Sequence, residues 1–498
     1  MKKIFYLLVV LAVFSACEDD LDLAPISEPS AANFYQNTTQ FEQAVNGMYN
    51  TLKDYAANHF YLSEVRSDNI YSPGTGVRDW NPINNFEHNL VTNSLMAPAW
   101  DVPYLGIYRA NLILDQVNED LVPDASTRNR MIGEAKFIRA LFYFDLVRFF
   151  GRVPIFDHVL TPTEALEVSR QPVADVYDLI EADLTEAASL LPASYSSPGK
   201  ATSGAAKSLL AKVYLTESGP DFGIDGPGMN SNKYSDALSL INEVISSGVY
   251  GWVDDYAEIF SYTNENNDDI VFDVQSINDG STGDRGIGTI LPTLMYQESW
   301  ARIYLPFAGG VPVDASGAID PSDDFLSSFE DGDVRDDFSV LMSYLDENGN
   351  TINSPQYLKF VSLDHVPADR FNWGINFPIL RYTDVLMMKA EALIQLGQDQ
   401  TTVDAIVNQV RERAGLSDVS NVDMDMLLDE RRHEFIAEGQ RWHDLVRTGK
   451  VLTVMNAWAA VDDASSKIGT IVADDILYAI HQDQLDVKEG LYDQNPGY

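Results

Sequence analysis

The sequence predicts a mostly α-helical protein whose helices pack in pairs, with one loop-rich half that contains short strands. Long stretches of the 498-residue chain carry apolar residues at spacings of three and four, which is the pattern of amphipathic helices. These stretches follow one another through short connections, and alternating, strand-like patterns are scarce. The region from 250 to 378 is instead rich in Gly, Asn, Asp and Pro, which favour turns.

The helical pattern starts at about Thr38, where Phe41 and Val45 fall on one face. The stretch 128–150 is apolar on two sides, so we expect its helix to be buried between neighbours. Gly151 follows it directly, and a glycine in that position commonly ends a helix. Further helices are predicted over six ranges: 172–191, 203–217, 233–247, 381–397, 401–414 and 424–438.

The predicted helices come in pairs joined by short loops, which suggests stacked helical hairpins. The pattern resembles a tetratricopeptide-like array, although its lengths and spacings do not repeat at a fixed period. We predict a single domain over 38–498. Its helical scaffold is mainly 38–250 and 379–450, and its loop-rich half is about 60–98 and 250–378.

Two stretches of the loop-rich half have strand patterns. The segment "DIVFDVQ" alternates, with Ile270, Phe272 and Val274 on one face, and it predicts a strand. The segment "YLDENGNTI" predicts a hairpin around Asn348–Gly349, because this dipeptide favours the backbone of a tight turn. Loop-rich regions carried by a rigid scaffold are where binding surfaces tend to lie.

The start of the chain has the order of a bacterial lipoprotein signal. A basic stretch precedes an unbroken apolar run, 4–14, and two small residues then lead to Cys17. The run is too short to span a bilayer as a helix. We predict a signal peptide over 1–16, acylation of Cys17 as a lasting membrane anchor, and a tether over 17–37. The alternative is an incidental cysteine in an ordinary segment.

Composition excludes several classes of function. The chain has 75 acidic and 33 basic residues, a formal net charge of −42, so nucleic acid is not an expected partner and polyanionic glycans are disfavoured. Cys17 is the only cysteine, so acylation leaves no thiol for a disulfide or for catalysis. The segment "HEFIAEGQRWH" starts like a zinc-protease motif, but Ala437 stands where the second histidine belongs. We therefore expect no metal site and no cofactor.

Five segments, taken in order along the chain together with its lipoprotein-like start, resemble the SusD/RagB family of Bacteroidetes nutrient-binding outer-membrane lipoproteins. The resemblance extends over nearly the whole chain, from Cys17 to Tyr498. The segments are "RALFYFDLVRFFGRVPI" (139–155), "LRYTDVLMMKAEAL" (380–393), "VNQVRERAGL" (407–416), "LLDERRHEFIAEGQRWHDLVRTG" (427–449) and "QNPGY" (494–498).

This resemblance implies a SusD-like α superhelix of tetratricopeptide-like helix pairs, with a variable looped half that carries the ligand site. It implies a cell-surface, lipid-anchored protein of the outer membrane that acts as the lid of a SusC-like TonB-dependent transporter. Such proteins capture an oligosaccharide, or peptides in RagB-like members, and deliver it for import. They are not enzymes.

A charged motif lies near the C-terminus, in the segment 427–449. Glutamates, arginines and an aspartate fall there at helical spacings that allow mutual pairing. We interpret them as a structural ion network that locks the last helices together, with a ligand role as the alternative. The helix is predicted to end at Gly439. The residues are Glu430, Arg431, Glu434, Glu438, Arg441 and Asp444.

The first candidate glycan site is the early loop "SDNIYSPGTGVRDWNPINN". Sugars present apolar C–H faces and hydroxyl rims, so a site needs flat aromatic rings and charge-assisted donors. Tyr71, Arg78, Trp80 and Asn81 lie in this Gly/Pro-rich loop, which has no helical or alternating pattern. The resemblance implies that a tryptophan from this loop contributes to the site. The alternative is a loop tryptophan packed onto the core.

The second candidate site lies in the variable half. Tyr296 and Trp300 occur in "TLMYQESWARIYLPF". A third, separate candidate is Trp373, beside Arg370 and Asn372 in "RFNWGINF". The spacing of Tyr296, Trp300 and Tyr304 also fits one face of a helix, so core packing is the competing interpretation.

The leading hypothesis is a surface lipoprotein that captures a neutral oligosaccharide and delivers it to a SusC-like TonB-dependent transporter. The rivals are a peptide binder on the same scaffold, a surface glycoside hydrolase, and an interaction scaffold without a small ligand. A hydrolase needs two carboxylates at a set separation, and no such pair is marked out in the sequence.

Overall fold

Paired helices form most of the structure, a computed structural model that describes residues 34–72, 78–196, 198–282, 286–305, 307 and 319–498. The predicted signal peptide, Cys17 and most of the predicted tether lie outside these residues. Tyr35 is buried, and its ring centre lies 5.2 Å from that of Phe41. The folded domain therefore starts by Tyr35, earlier than the predicted boundary at residue 38, because this ring packs into the core.

The longer helices follow the predicted ranges closely, which confirms the mostly α-helical fold class. No helix in the described ranges is long and apolar enough to cross a membrane. The helices of seven residues or more are α1 (Thr38–Tyr49), α2 (Met96–Gln116), α3 (Ala125–Phe150), α4 (Val173–Leu190), α5 (Ser203–Glu217), α6 (Tyr234–Ser247), α7 (Glu298–Tyr304), α8 (Tyr382–Leu396), α9 (Gln400–Arg413), α10 (Met424–Glu434), α11 (Arg441–Arg447) and α12 (Val451–Asp462).

Shorter elements connect these helices. The strands are β1 (Ile270–Val274), β2 (Val340–Leu345), β3 (Thr351–Tyr357) and β4 (Phe377–Arg381). Short α-helices occur at Tyr55–His59, Asn81–Asn84, Pro162–Ala165, Tyr256–Ile259, Leu291–Met295, Asp323–Ser327, Val334–Ser339 and Gln482–Leu485. Phe60–Glu64 is a turn of π-helix, and 3₁₀ turns occur at Asn50–Asp54, Leu90–Thr92 and Ala473–Ile476.

Neighbouring helices stack on one another along the chain, as the helical-hairpin prediction requires. Helix α3 packs between α2 and α4, and α5 packs between α4 and α6. Helix α6 then packs against α8, although the loop-rich region separates them in sequence. That region is therefore an insertion that leaves the scaffold after α6 and returns to it before α8.

Two antiparallel strand pairs stabilise the insertion. Strand β1 pairs with β4, with Ile270 opposite Arg381. Strands β2 and β3 form the predicted hairpin, and Gly349 in its turn has a φ of 81°, which favours glycine. Strand β4 leads directly into α8, so the insertion is fixed to the scaffold at its C-terminal end.

The predicted helix ends are right at Gly151 and wrong at Gly439. Helix α3 ends at Phe150, and Gly151 follows with a φ of 67°. Helix α10 ends at Glu434, before Gly439. The carboxylate of Glu64 accepts hydrogen bonds from the N–H groups of Ala437 (3.1 Å) and Gly439 (3.2 Å). These bonds draw the backbone into a turn in which Ala437 also has a positive φ, 59°.

A buried ion network joins α10 to the inserted half. The guanidinium of Arg381, at the end of β4, donates to Glu434 Oε1 (3.0 Å), Glu438 Oε2 (2.9 Å) and Asp269 Oδ2 (2.9 Å). The guanidinium of Arg335 donates to Glu430 Oε1 (2.6 Å) and to Asp333 Oδ2 (2.7 Å). All of these side chains are buried. The network therefore links α10 to segments far away in the sequence.

The same network reaches the N-terminal half. Arg441 of α11 donates to both carboxylate oxygens of Asp68 at 2.8 Å, and Arg432 of α10 donates to Asn69 Oδ1 at 2.8 Å. Within the motif itself, Arg431 pairs with Asp444, with 2.7 Å between Nε and Oδ2. The structural interpretation of the motif is confirmed. Its pairing is different from the prediction, because most of its partners come from other segments.

The network sets the protonation of its carboxylates. Burial by itself would raise the pKa of Glu434, but Arg413, Arg381 and Arg335 together lower it to about 2. Burial also opposes ionisation of Asp68, and Arg432 and Arg441 lower its pKa to about 2. Both carboxylates thus stay ionised well below their ordinary range.

Glu434→Gln is expected to lower the free energy of unfolding by about 3–5 kcal/mol, because it leaves buried guanidinium groups without a compensating charge. Chemical denaturation of the mature chain, followed by circular dichroism, measures this. Glu167→Gln is the control, because it breaks an exposed pair with Lys488 (2.8 Å) that is worth less than about 1 kcal/mol. Equal losses in the two variants would contradict the view that Glu434 compensates buried guanidinium charge.

Acid is expected to destabilise the wild type as the pH falls from about 4.5 to about 2. The pKa of Glu434 is lower in the folded chain than its ordinary value of 4.5, so its stabilisation is complete above pH 4.5 and is lost toward pH 2. The melting temperature, recorded across this range, should fall less steeply in Glu434→Gln than in the wild type. Parallel curves for the two proteins would refute this assignment.

Candidate functional site

The early loop presents an aromatic pair. Trp80 is half-buried, and its ring stacks on that of Tyr61, with ring centres 5.9 Å apart and an angle of 15° between the planes. The guanidinium carbon of Arg78 lies 5.6 Å from the centre of the Trp80 ring. The indole N–H of Trp80 is buried and donates to no residue in the described ranges. The structure thus brings Trp80 and Arg78 together and adds Tyr61 to them.

Asn81 stabilises this loop from inside. Its side-chain amide donates to the carbonyl of Ser72 (2.9 Å), and its Oδ1 accepts from the N–H of Arg78 (3.1 Å). Asn84, one turn further, donates to the carbonyls of Val65 (2.8 Å) and Ile70 (2.9 Å). Because Asn81 is buried and its amide is engaged, we place it as a loop anchor, and not at the ligand surface where it was predicted.

Tyr71 points toward the C-terminal helices. Its hydroxyl donates to Asp463 Oδ1 (2.8 Å), and its ring meets that of Trp458 edge to face at 6.1 Å. These contacts hold the start of the loop against α12. They do not place Tyr71 beside Trp80, so its predicted contact with a glycan has no support from its surroundings.

The start of the early loop is joined to the second candidate region. Ile70 forms an antiparallel bridge with Pro321, and the N–H of Tyr71 donates to the carbonyl of Asp320 (3.1 Å). The carbonyl of Asn69 accepts from the N–H of Ser322 (2.9 Å). These contacts join residues 69–71, at the start of the early loop, to residues 320–322 of the loop-rich range 250–378. The two candidate regions are therefore connected at this point.

The second aromatic cluster surrounds Thr293. Its hydroxyl oxygen accepts from the indole N–H of Trp373 (3.1 Å) and from the hydroxyl of Tyr296 (3.2 Å). Trp300 stacks on Tyr304 with ring centres 5.5 Å apart, and Tyr296 lies between Trp300 (5.8 Å) and Trp373 (6.4 Å). Burial raises the pKa of Tyr296 to about 12, so its hydroxyl remains a donor.

The two tryptophans of this cluster are core residues. Trp373 has no exposed surface and Trp300 is 3% exposed, whereas Tyr296 and Tyr304 are half-buried. The prediction that Trp300 and Trp373 present flat faces to a sugar is not met by this arrangement. The helical spacing of Trp300 already indicated core packing, and the bridge between Thr289 and Trp373 fixes the second ring inside.

Both clusters lie against one segment. The short helix Leu291–Met295, which carries Thr293, packs against Tyr55–His59. That helix leads directly into Phe60–Glu64, which carries Tyr61. Sequence reasoning missed Tyr61, although it lies within the predicted loop-rich range 60–98, because the candidate loop was taken to start at Ser67. An aromatic residue next to the predicted loop was the one signal available.

The site contains no arrangement that holds a metal. Across the described ranges, no group of three or more His, Cys, Asp or Glu side chains is placed to bind a metal ion. His433 of the rejected zinc motif instead shares a hydrogen bond with Ser328, with 2.8 Å between Nε2 and Oγ. The chemistry that the site offers is ring stacking and hydrogen bonding.

Comparisons with known proteins give a consistent result. Residues 21–215 match a family described as "Starch-binding associating with outer membrane", and residues 313–498 match the SusD family. The SusD-like protein P25 of Formosa agariphila is 26% identical over 499 residues, with 91% of this chain and 90% of the relative covered.

Solved structures share the fold over nearly the whole chain. A laminarin binding SusD-like protein superposes with a TM-score of 0.76 and 25% identity, covering 93% of this chain and 100% of the other. Surface glycan-binding protein A from Bacteroides thetaiotaomicron, in complex with laminarihexaose, gives a TM-score of 0.76 at 24% identity, covering 92% of this chain and 99% of the other.

Tyr71→Phe is expected to lower the free energy of unfolding by about 1.5–3 kcal/mol, because it removes a hydrogen bond to the carboxylate of Asp463. Oligosaccharide binding should be unchanged. Chemical denaturation and calorimetric titration measure the two effects. Tyr108→Phe is the stability control, because Tyr108 is exposed and its hydroxyl bonds no described residue. Weaker oligosaccharide binding in Tyr71→Phe, with an unchanged free energy of unfolding, would instead indicate that Tyr71 contacts the ligand.

Proposed function

Because the chain belongs to the SusD family, we propose that it captures a neutral oligosaccharide at the cell surface and delivers it to a SusC-like TonB-dependent outer-membrane transporter. The observation that supports glycan capture best is the Tyr61–Trp80 stack with Arg78 beside it. A half-buried ring pair offers an apolar surface to sugar C–H groups, and the guanidinium offers donors to hydroxyls.

The second cluster completes the proposed site. Tyr296 and Tyr304 are half-buried and rest on the buried rings of Trp373 and Trp300, which fix their orientation. We therefore assign direct contacts to Trp80, Arg78, Tyr296 and Tyr304, and a supporting role to the two buried indoles. Solved relatives that bind laminarin or laminarihexaose make β-linked glucan a reasonable first class of ligand.

The proposal includes the anchor. Acylation of Cys17 after removal of residues 1–16 would hold the domain at the outer membrane, with the following residues as a tether. The family description of association with the outer membrane supports this location. Incorporation of a clickable palmitate analogue that disappears in Cys17→Ala tests the anchor, and labelling that persists in Cys17→Ala would exclude it.

Trp80→Ala is expected to weaken oligosaccharide binding at least about tenfold, because it removes the larger ring of the stacked pair. Calorimetric titration of the mature chain with laminarihexaose, maltohexaose, xylohexaose and mannohexaose measures this. Leu363→Ala is the control, because Leu363 is an exposed apolar residue of the same half. It should leave affinity unchanged.

The same titrations, together with assays for product release, peptide capture and transporter binding, separate the rival functions. Affinity that survives Trp80→Ala would contradict the site. Release of shorter products during incubation would favour a hydrolase. Absence of binding to every oligosaccharide, together with capture of peptides, would favour a peptide binder. If the protein bound the transporter but bound neither oligosaccharides nor peptides, a role as an interaction scaffold would be favoured.

A further inference from the structure

A cavity lies along helix α2 and shares no lining residue with the proposed site. Its volume is about 340 Å³, which is within the range of small-molecule sites. Three segments form it: α2, the stretch from Phe156 to Ala165, and the C-terminal segment that carries Gln484 and Tyr492. We call it the α2 cavity.

An aromatic stripe forms one wall of the α2 cavity. Trp100, Tyr104 and Tyr108 recur every four residues on α2, so their side chains lie on one face of the helix. Phe156 meets Tyr104 edge to face at 5.5 Å, and Tyr492 lies 6.1 Å from Trp100, both measured between ring centres. Helix α3 covers the inner part of this face, where the ring of Phe150 meets that of Trp100 edge to face at 5.3 Å, whereas Tyr108 stays exposed.

Hydrogen bonds hold the walls of the α2 cavity in place. The amide of Gln484 donates to Asp101 Oδ1 (3.0 Å), and the hydroxyl of Tyr104 donates to the carbonyl of Pro154 (2.8 Å). Asn111 donates to the carbonyl of Phe156 (2.8 Å). These bonds join all three segments, so the cavity exists before any ligand arrives.

Several polar groups of the lining lack partners. Trp100 is only 4% exposed, yet its indole N–H forms no hydrogen bond with the residues that the structure describes. The hydroxyls of Tyr492 and Tyr108 likewise bond no described residue. A purely apolar occupant would bury these donors without partners, which is unfavourable. The occupant should therefore combine an apolar face with hydrogen-bonding groups.

We propose that the α2 cavity binds a short neutral saccharide. Saccharides match both features, because their C–H faces stack on rings and their hydroxyls accept from Trp100 and Tyr492. Asp101 at the rim accepts from sugar hydroxyls and, with the net charge of −42, opposes anionic ligands. Tyr108, which is 47% exposed, forms the outer platform.

Ligand-observed NMR tests the proposal with maltose, laminaribiose, cellobiose and xylobiose on the mature chain. At least one disaccharide should give a saturation-transfer signal whose affinity falls about tenfold in Tyr108→Ala. Tyr108→Phe keeps the ring and should retain binding. Tyr492→Phe, which removes only a hydroxyl, should weaken binding about threefold to tenfold.

Two controls make the outcome decisive. Leu105→Ala alters an apolar residue of α2 that is 44% exposed and does not line the cavity, so it should change nothing. Trp80→Ala should leave the Tyr108-dependent signal intact, which separates failure here from failure of the proposed function. Absence of any Tyr108-dependent disaccharide signal, or displacement of the signal by short peptides alone, would overturn the proposal.

Discussion

Buried charge pairing is the constraint on which the rest of the structure depends. Arg381 lies fully buried among Glu434, Glu438 and Asp269, and removal of one member of such a set leaves an uncompensated charge in the interior. Its partners come from α10, from the turn that follows it and from the insertion. Only a chain that assembles these segments together satisfies the guanidinium. We infer that the network specifies one arrangement of distant segments more than it adds net stability, since apolar packing stabilises equally well.

The network also fixes the base of the proposed glycan site. The network engages Glu64, just before the early loop, and Asp68 and Asn69 at its start. The carbonyl of Asn69 additionally accepts from the hydroxyl of Tyr357 at 2.7 Å, which ties the same point to β3. The loop can therefore change beyond its base without disturbing the scaffold. Rigid bases under variable loops allow a single fold to present different rings to different sugars.

Local sequence signals predicted the fold, and long-range contacts explain the errors. Helical periodicity placed α3 correctly, and Gly151 marked its end because a glycine there relieves a local backbone strain. The end of α10 was misplaced because Glu64, from a distant part of the chain, accepts the N–H groups that follow it. Composition identified the range 250–378 as loop-rich. Composition did not show which aromatic rings of that range are buried, because a short helix has too few residues to reveal which of its faces is covered.

The site was predicted in part for the same reason. Trp80 and Arg78 are two residues apart in the sequence, so their proximity could be predicted, whereas the partner ring of Tyr61 comes from a separate turn. Trp373 is held inside by a hydrogen bond to Thr293 and by a backbone bridge to Thr289, and neither contact has a sequence signature.

The distribution of cations completes the physical argument for a neutral ligand. The chain has only 33 basic residues against 75 acidic ones. Several of its arginines are buried in the ion network, among them Arg335, Arg381, Arg431 and Arg441. The outer surface is therefore even poorer in positive charge than the composition suggests. A polyanionic glycan would meet repulsion over most of that surface. Recognition has to rest on stacking and hydroxyl contacts, for which Arg78 beside the Trp80 ring is positioned as a donor. Such contacts depend little on ionic strength, unlike pairing between exposed charges.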